Sequence, residues 1–127
     1  MADLLQDFET YFISMGLVTA SSFFKDTMLD LPDSAVAVYE YAGSAGLPQI
    51  ASSTRSIQIV TRDLSAQAAR SKAYGLYKAL EVDDAIIQLT PERWCLLIPR
   101  QTPFRFKVDA RQRVYYAFNV GVTTYDD

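Results

Sequence analysis

The chain opens on a stripe and closes on alternations. Leu4, Leu5, Phe8, Tyr11, Phe12 and Met15 recur with the period of one helix face, and Gly16 follows where a left-handed C-terminal residue belongs. The spacing predicts a helix ending near Met15. From Val18 to Ser34 no period holds apart from a short extended piece expected around Phe23 to Met28, and Pro32-Asp33-Ser34 closes the stretch with turn chemistry. Ala35 to Tyr41 then alternates, with Val36 and Val38 on one face and Tyr39 and Tyr41 on the other. Arg55 to Arg62 does the same, Ile57 and Ile59 inward, Gln58 and Arg62 outward. Two strands follow from these patterns. Between them Gly43 to Thr54 is rich in small residues with one Pro, the composition of a loop.

Asp63 or Ser65 is placed to cap a second helix reaching about Leu80, with Ala69, Ala73, Leu76, Tyr77 and Leu80 on its buried stripe. Gly75 inside that helix costs about 1 kcal/mol relative to Ala, which points to close packing there. The remainder reads as strand. Ala85 to Leu89 and Trp94 to Ile98 flank the turn Thr90-Pro91-Glu92-Arg93. Phe104 to Val108 sets Phe104, Phe106 and Val108 against Arg105 and Lys107. Arg113 to Tyr125 alternates throughout: Val114, Tyr116, Phe118, Val120, Val122 and Thr124 share one face, and Arg113, Tyr115 and Asn119 lie on the other. The order α-β-β-α-β-β-β-β describes an α+β fold, a mostly antiparallel sheet with two helices packed on one face. At 127 residues the chain has the size of a single domain.

Composition changes this picture mainly by exclusion. There is no His, which removes the commonest general base and the usual zinc ligand, and the single Cys95 sits in the apolar run Trp94 to Ile98 as a small buried hydrophobe. Gly43-Ser44-Ala45-Gly46 lacks the spacing and the Lys of a phosphate-binding loop. Asp26, Asp30 and Asp33 match no calcium loop and read as a solvated acidic loop. No catalytic residue, cofactor or metal site is expected, so the chain reads as a protein that is not an enzyme. No apolar run approaches the roughly 18 residues that cross a bilayer, and Met1-Ala2-Asp3 carries no basic leader, so cytoplasmic synthesis without a membrane is expected.

What the chain has in quantity is surface chemistry. Eight Tyr and seven Phe are more than one small core absorbs, which favours aromatic interface anchors. Residues 1 to 54 hold seven acidic groups against one basic, and residues 55 to 127 hold eight against eleven. Either folding mixes the two parts, or the subunit keeps acidic and basic faces that meet head to tail in a ring. Arg105, Lys107, Arg111 and Arg113 form a basic hairpin tip, the one feature that a nucleic-acid-binding module would use. The residues expected in protein interfaces are Gly43, Ser44, Gly46, Pro48, Gln49, Arg55, Arg62, Arg105, Lys107, Tyr115 and Tyr125.

Two blocks carry a family resemblance. The first is Phe24-Lys-Asp-Thr-Met-Leu-Asp-Leu-Pro-Asp-Ser-Ala-Val-Ala-Val-Tyr-Glu-Tyr-Ala-Gly43. The second is Arg55-Ser-Ile-Gln-Ile-Val-Thr-Arg-Asp63, continued by Ala68-Ala69-Arg-Ser-Lys-Ala73 and Leu76-Tyr77-Lys-Ala-Leu80. Together they resemble the minor capsid and tail-completion proteins grouped with the tail terminators of long-tailed bacteriophages. The resemblance covers roughly residues 4 to 100 and implies a tail-terminator-like domain in the virion, assembled in the host bacterial cytoplasm. It implies a homo-oligomer, a hexameric ring, whose partners are the tail tube protein and the head-to-tail connector (stopper) protein, with genomic DNA passing through the lumen unbound. Another neck component, a connector stopper or head-completion protein, shares this size and location. The Gly43 to Thr54 loop is expected to order on docking.

Overall fold

The opening stripe forms helix α1, Leu4–Ser14, in a computed structural model that describes residues 4–45, 52–81, 86–91, 93–99 and 101–125, with the backbone alone at 42–45, 52–54, 86, 93, 98, 99 and 125. Gly16 takes φ +73° and both bonds of a Schellman end are made: Leu17 N–H to Phe12 O at 3.0 Å, and Gly16 N–H to Ile13 O at 2.9 Å. Leu17 then packs on the core cluster that contains Phe12.

The extended piece after it is shorter than expected. β1 covers Phe23–Lys25, because Asp26 turns into the left-handed region at φ 64° while its N–H still reaches Val38 O at 2.8 Å. β1 lies parallel to β2, Ala35–Ala45, and every other described pairing is antiparallel. β2 pairs with β3, Ser52–Asp63, from Ala35↔Arg62 to Ala45↔Ser53, with one irregularity between Tyr41 and Ser44. The strands therefore run into the stretch read as loop. Gly43 and Ser44 belong to β2, and backbone pairing overrides their weak strand propensity. Residues 46–51, with Gly46, Pro48 and Gln49, lie outside the described residues.

Both candidate caps serve the second helix, α2, Ala66–Leu80. Ser65 Oγ accepts from Ala68 N–H at 3.2 Å, and one step earlier Asp63 Oδ1 accepts from Ser65 N–H at 3.1 Å. Four strands follow: β4 (Ile86–Thr90), β5 (Arg93–Pro99), β6 (Phe104–Val108) and β7 (Val114–Tyr125). The sheet runs β1-β2-β3-β7-β5-β4, with β6 on β7. β7 is its spine. One edge pairs with β3 from Asp63↔Val114 to Ser52↔Tyr125; the other is shared, Val114 to Ala117 with β6 and Val120 to Thr124 with β5.

Both helices cover one face. Phe8, Phe12, Val36, Ile57, Leu76 and Phe118 close the main core there, all buried. Tyr11 Oη donates to Ala79 O at 3.1 Å, tying α1 to α2, and Thr61 Oγ1 donates to Ala69 O at 2.8 Å, tying β3 to α2. Ala69 and Ala73, fully buried, let α2 lie close on Val114 and Tyr116. Gly75 does not share that role: a Cβ built there meets nothing within 4 Å, so the close packing expected at this position is absent among the described residues. Gly75→Ala is therefore expected to raise the unfolding free energy by about 1 kcal/mol, since it removes backbone entropy from the unfolded chain without a clash. Urea denaturation measures it, and a loss of stability would reveal a neighbour pressed against this side of α2.

Candidate functional site

The sheet face turned away from the helices carries its own side-chain layer, which cross-strand register builds row by row. Ala37, Val60, Ala117 and Phe104 form one row; Ala35, Arg62, Tyr115 and Lys107 form the row on one side of it; Tyr39, Gln58 and Asn119 form the row on the other. Small residues between two rows of large ones leave a trough. Its volume is about 200 Å³, and Tyr39, Tyr41 and Gln58 wall it on one side, Phe106, Lys107 and Tyr115 on the other, with Val60 at the floor. Tyr41 Oη donates to Gln58 Oε1 at 3.0 Å and fixes one wall.

A bulge builds the opposite wall. The β6–β7 register slips between Arg105 and Lys107, so Phe106 is the extra residue and the alternation read from the sequence breaks there. Lys107 thereby joins Phe104 and Phe106 on the outer face, and Arg105, opposite Tyr116, faces the other way. The rings of Phe104, Phe106 and Tyr115 form a chain at 6.2 and 5.9 Å between centroids. Lys107 Nζ stands 4.9 Å from the Tyr115 centroid, and Arg62 Cζ lies 5.9 Å from the same ring.

Arg62 was expected to point outward. It does occupy the outer face, yet it is 2% exposed, because residues 32 and 33 fold over it: Nη2 donates to Pro32 O, and Nε to Asp33 O at 3.2 Å. Arg113, read as part of the basic hairpin tip, is likewise buried. Nε donates to Asp109 Oδ2 at 2.8 Å, Nη2 to Asp30 Oδ1 at 2.7 Å, and Nη1 to Asp30 O, while Asp33 Oδ1 stands 3.4 Å from Nη1. Arg111 Nη1 reaches Asp30 Oδ2 at 2.8 Å. Part of the acidic cluster, Asp30 and Asp33, and part of the basic hairpin tip, Arg111 and Arg113, thus form one ion-paired structure. That resolves the charge asymmetry in part: acids from the first part pair with bases from the second, including Glu40 with Arg55 at 3.7 Å.

Asp109 organises the hairpin. Its Oδ1 accepts from Arg111 N–H and Arg113 N–H, each at 3.0 Å, and its Oδ2 accepts from Tyr115 Oη at 3.0 Å. Partial desolvation pushes its carboxyl up, but these donors, the Arg113 N–H foremost, overcome it and hold the group at about 2 against an ordinary 3.8. Asp30 is also lowered, chiefly by its hydrogen bond from Arg113, and Arg113 is raised, first by that same bond.

Of the eleven residues expected in interfaces, Lys107 and Tyr115 line the trough, and Arg62 stands behind Tyr115, buried and outside the lining. Arg55 lies on β3 with the helix-side residues, Arg105 is exposed on the other side of β6, and Gly43 and Ser44 sit at the far end of β2. Tyr125 ends β7 opposite Ser52. Tyr39, Tyr41 and Phe106 were not singled out as site residues, although the outward tyrosines of two neighbouring strands were a readable signal. Among the described residues no group of three His, Cys, Asp or Glu is placed to hold a metal ion, and no helix is long and apolar enough to cross a membrane.

No protein-family model matches the chain, and no curated protein matches it. Among solved structures it is similar to a chain of the virion of a native gene transfer agent (GTA) particle, with a TM-score of 0.64 at 12% identity, over 95% of this chain and 90% of that one. At that identity the likeness is one of fold.

The Asp109 carboxylate gives a pH prediction. A folded-state value lowered below the unfolded one stabilises fully above about pH 4 and loses that contribution as pH falls through 4 toward 2. Asp109→Asn should be less stable than wild type at pH 7 and should lose stability less steeply between pH 4 and 2, as read from urea midpoints. Equal slopes would remove Asp109 from this role.

Proposed function

We propose that this chain is a non-enzymatic structural subunit of a phage-like virion, forming a ring that ends the tail tube and joins it to the head-to-tail connector. The observation that carries the reading is the fold shared along nearly the whole length with a chain of a gene transfer agent virion. The two blocks that resemble tail terminators support it. They fall on β1–β2 and on β3–α2, the parts of the sequence that set the sheet register and dock its second helix.

The physical demands of such a subunit match what the molecule offers. A closed ring needs two different surfaces that fit each other, and a ring between tube and neck needs further ones. A sheet face paved with aromatics, held rigid by an ion cluster, suits a surface that binds without first being ordered. A nucleic-acid module built on the hairpin tip fits less well, since Arg111 and Arg113 are already neutralised by Asp30 and Asp109.

Electron microscopy of the purified protein, alone and mixed with tail tubes, tests the proposal. Rings seated on tube ends are expected. Rings that bind the connector and ignore tube ends would shift the role to a stopper, and a protein that forms no ring under either condition would end this reading.

A further inference from the structure

The two margins of the sheet are stepped, and in opposite senses. On one side of β7, β5 is backed by β4, but among the described residues no strand backs β6, so its outer edge is open. At the other margin β1 covers only Val36 to Val38, and beyond them, among the described residues, nothing pairs with the edge of β2. β6 lies at the end of the sheet where β1 stands: Phe23 is level with Val36, and through Thr61 and Tyr116 with Arg105. One margin is thus a strand short where the other has a strand to spare. Alternate residues of an edge strand turn N–H and C=O outward, and such an edge is a template for another strand.

The steps carry opposite charges. Arg105 and Lys107 are exposed on successive rungs of β6, opposite Tyr116 and Tyr115, and among the described residues neither has a carboxylate within ion-pair distance. The bulge sends Arg105 to the helix side and Lys107 to the outer side. Asp26 and Glu40 are exposed where β1 ends, also on successive rungs: Asp26 follows the Lys25↔Val38 pair, and Glu40 stands two residues beyond Val38. Glu40, opposite Ile57, shares the helix side, and its own partner Arg55 is 3.7 Å away. Asp26 stands within electrostatic reach of outer-face Tyr39, whose hydroxyl is pushed up first by burial and in smaller part by this charge. Phe106 and Val108 beside the cations, and Tyr41 beside the acids, are each about half exposed.

Strand directions decide how a second copy can meet these steps. β6 is antiparallel to β7, β7 to β3 and β3 to β2, while β1 is parallel to β2, so β6 runs opposite to β1. A neighbour in the same orientation therefore brings its β1 antiparallel to β6. In that sense of pairing the upper rung of each step meets the upper rung of the other, Arg105 with Glu40, and the lower meets the lower, Lys107 with Asp26. A copy related by a two-fold axis would instead set Arg105 and Lys107 against themselves, and like charges across paired strands repel.

We propose that the open edge of β6 pairs with the β1 margin of a second copy of this chain, head to tail, Arg105 meeting Glu40 on the helix side and Lys107 meeting Asp26 on the outer side. The sheet then continues from subunit to subunit by strand addition. The inference deepens the ring reading and rests on it for the expectation that the contact repeats until it closes.

Charge reversal with rescue is the test, read by sedimentation velocity at low and moderate salt. Wild type is expected to associate past the dimer, more weakly as salt rises. Arg105→Glu and Glu40→Lys should each weaken association roughly tenfold or more. Mixed in equal amounts they should recover the larger oligomers, because alternation of the two gives opposite charges at every contact. Arg105→Ala mixed with Glu40→Ala, at a concentration where each alone is monomeric, should stop at dimers held by the one intact contact. Hydrogen exchange should slow at the amides of residues 104–108 on association. Arg70→Glu, an exposed position on α2, makes the same net-charge change as Arg105→Glu and should leave association unaltered. Thermal unfolding of each variant separates lost contact from lost fold. Wild type that stays monomeric to about a millimolar overturns the proposal. So do association untouched by either reversal, a reversed mixture that grows no further than the neutral one, unchanged exchange in β6, or an equal effect of Arg70→Glu. The two readings part cleanly: rings on tube ends that survive both reversals remove this contact and keep the tail role, whereas β6-dependent oligomers that never bind tubes do the opposite.

Discussion

A guanidinium taken out of water costs several kcal/mol unless its charge and all its N–H groups are met, and Arg113 is the place where this fold accepts that condition. Meeting it requires three separate pieces of chain to converge: the segment at Asp30 and Asp33, the turn at Asp109, and the first residues of β7. Each piece does something else once held. The 30–33 segment lies over Arg62, the turn at Asp109 orients the Tyr115 hydroxyl, and β7 fixes the register of both neighbours at that end. The outer-face trough is therefore shaped by a buried charge that does not line it.

The two sheet faces follow different rules. The helix side is an apolar core in the ordinary sense, filled by Phe, Ile, Leu and Val. Among the described residues no second layer of secondary structure covers the outer side, yet Ala35, Ala37 and Ala117 are fully buried there. Their cover comes from side chains, aromatic rings and the aliphatic part of arginine, standing on the neighbouring rows. A face built this way presents rings at its surface by construction, and Phe106 and Tyr41 remain half exposed for that reason.

How far the sequence disclosed this depended on whether a residue's environment was local. β7 was legible because thirteen residues from Arg113 to Tyr125 alternate without interruption, and all six residues of the greasy face, Val114 to Thr124, are buried. The end of α1 was legible because Gly16 supplies the one backbone conformation that end needs. Lys107 was placed on the wrong face because a single extra residue in β6, Phe106, resets the phase, and nothing in five residues of alternation marks a bulge. Arg62 and Arg113 looked solvated because a charged residue at an outward position usually is. Arg62's partners lie 29 and 30 residues away along the chain and Arg113's, apart from nearby Asp109, 80 and 83, beyond the reach of any periodicity. Gly75 misled in the reverse direction: its propensity cost is real, but no packing partner among the described residues accounts for it.

The double pairing of β7 governs the order in which the molecule can be made. β2, β3 and α2 are all synthesised before it, so β3 must wait with one edge hydrogen-bonded to β2 and the other open. Among the described residues, the half of the sheet carrying β4 and β5 is hydrogen-bonded to the half carrying β1, β2 and β3 only through β7. Until Val114 to Tyr125 emerge, the sheet is two unpaired pieces with exposed strand edges, the condition in which nascent chains pair with the wrong neighbour. A closure this late, between segments so distant in sequence, slows folding relative to a fold of local contacts, and adds a hazard to the nascent chain that the finished fold does not carry at β3 and β5.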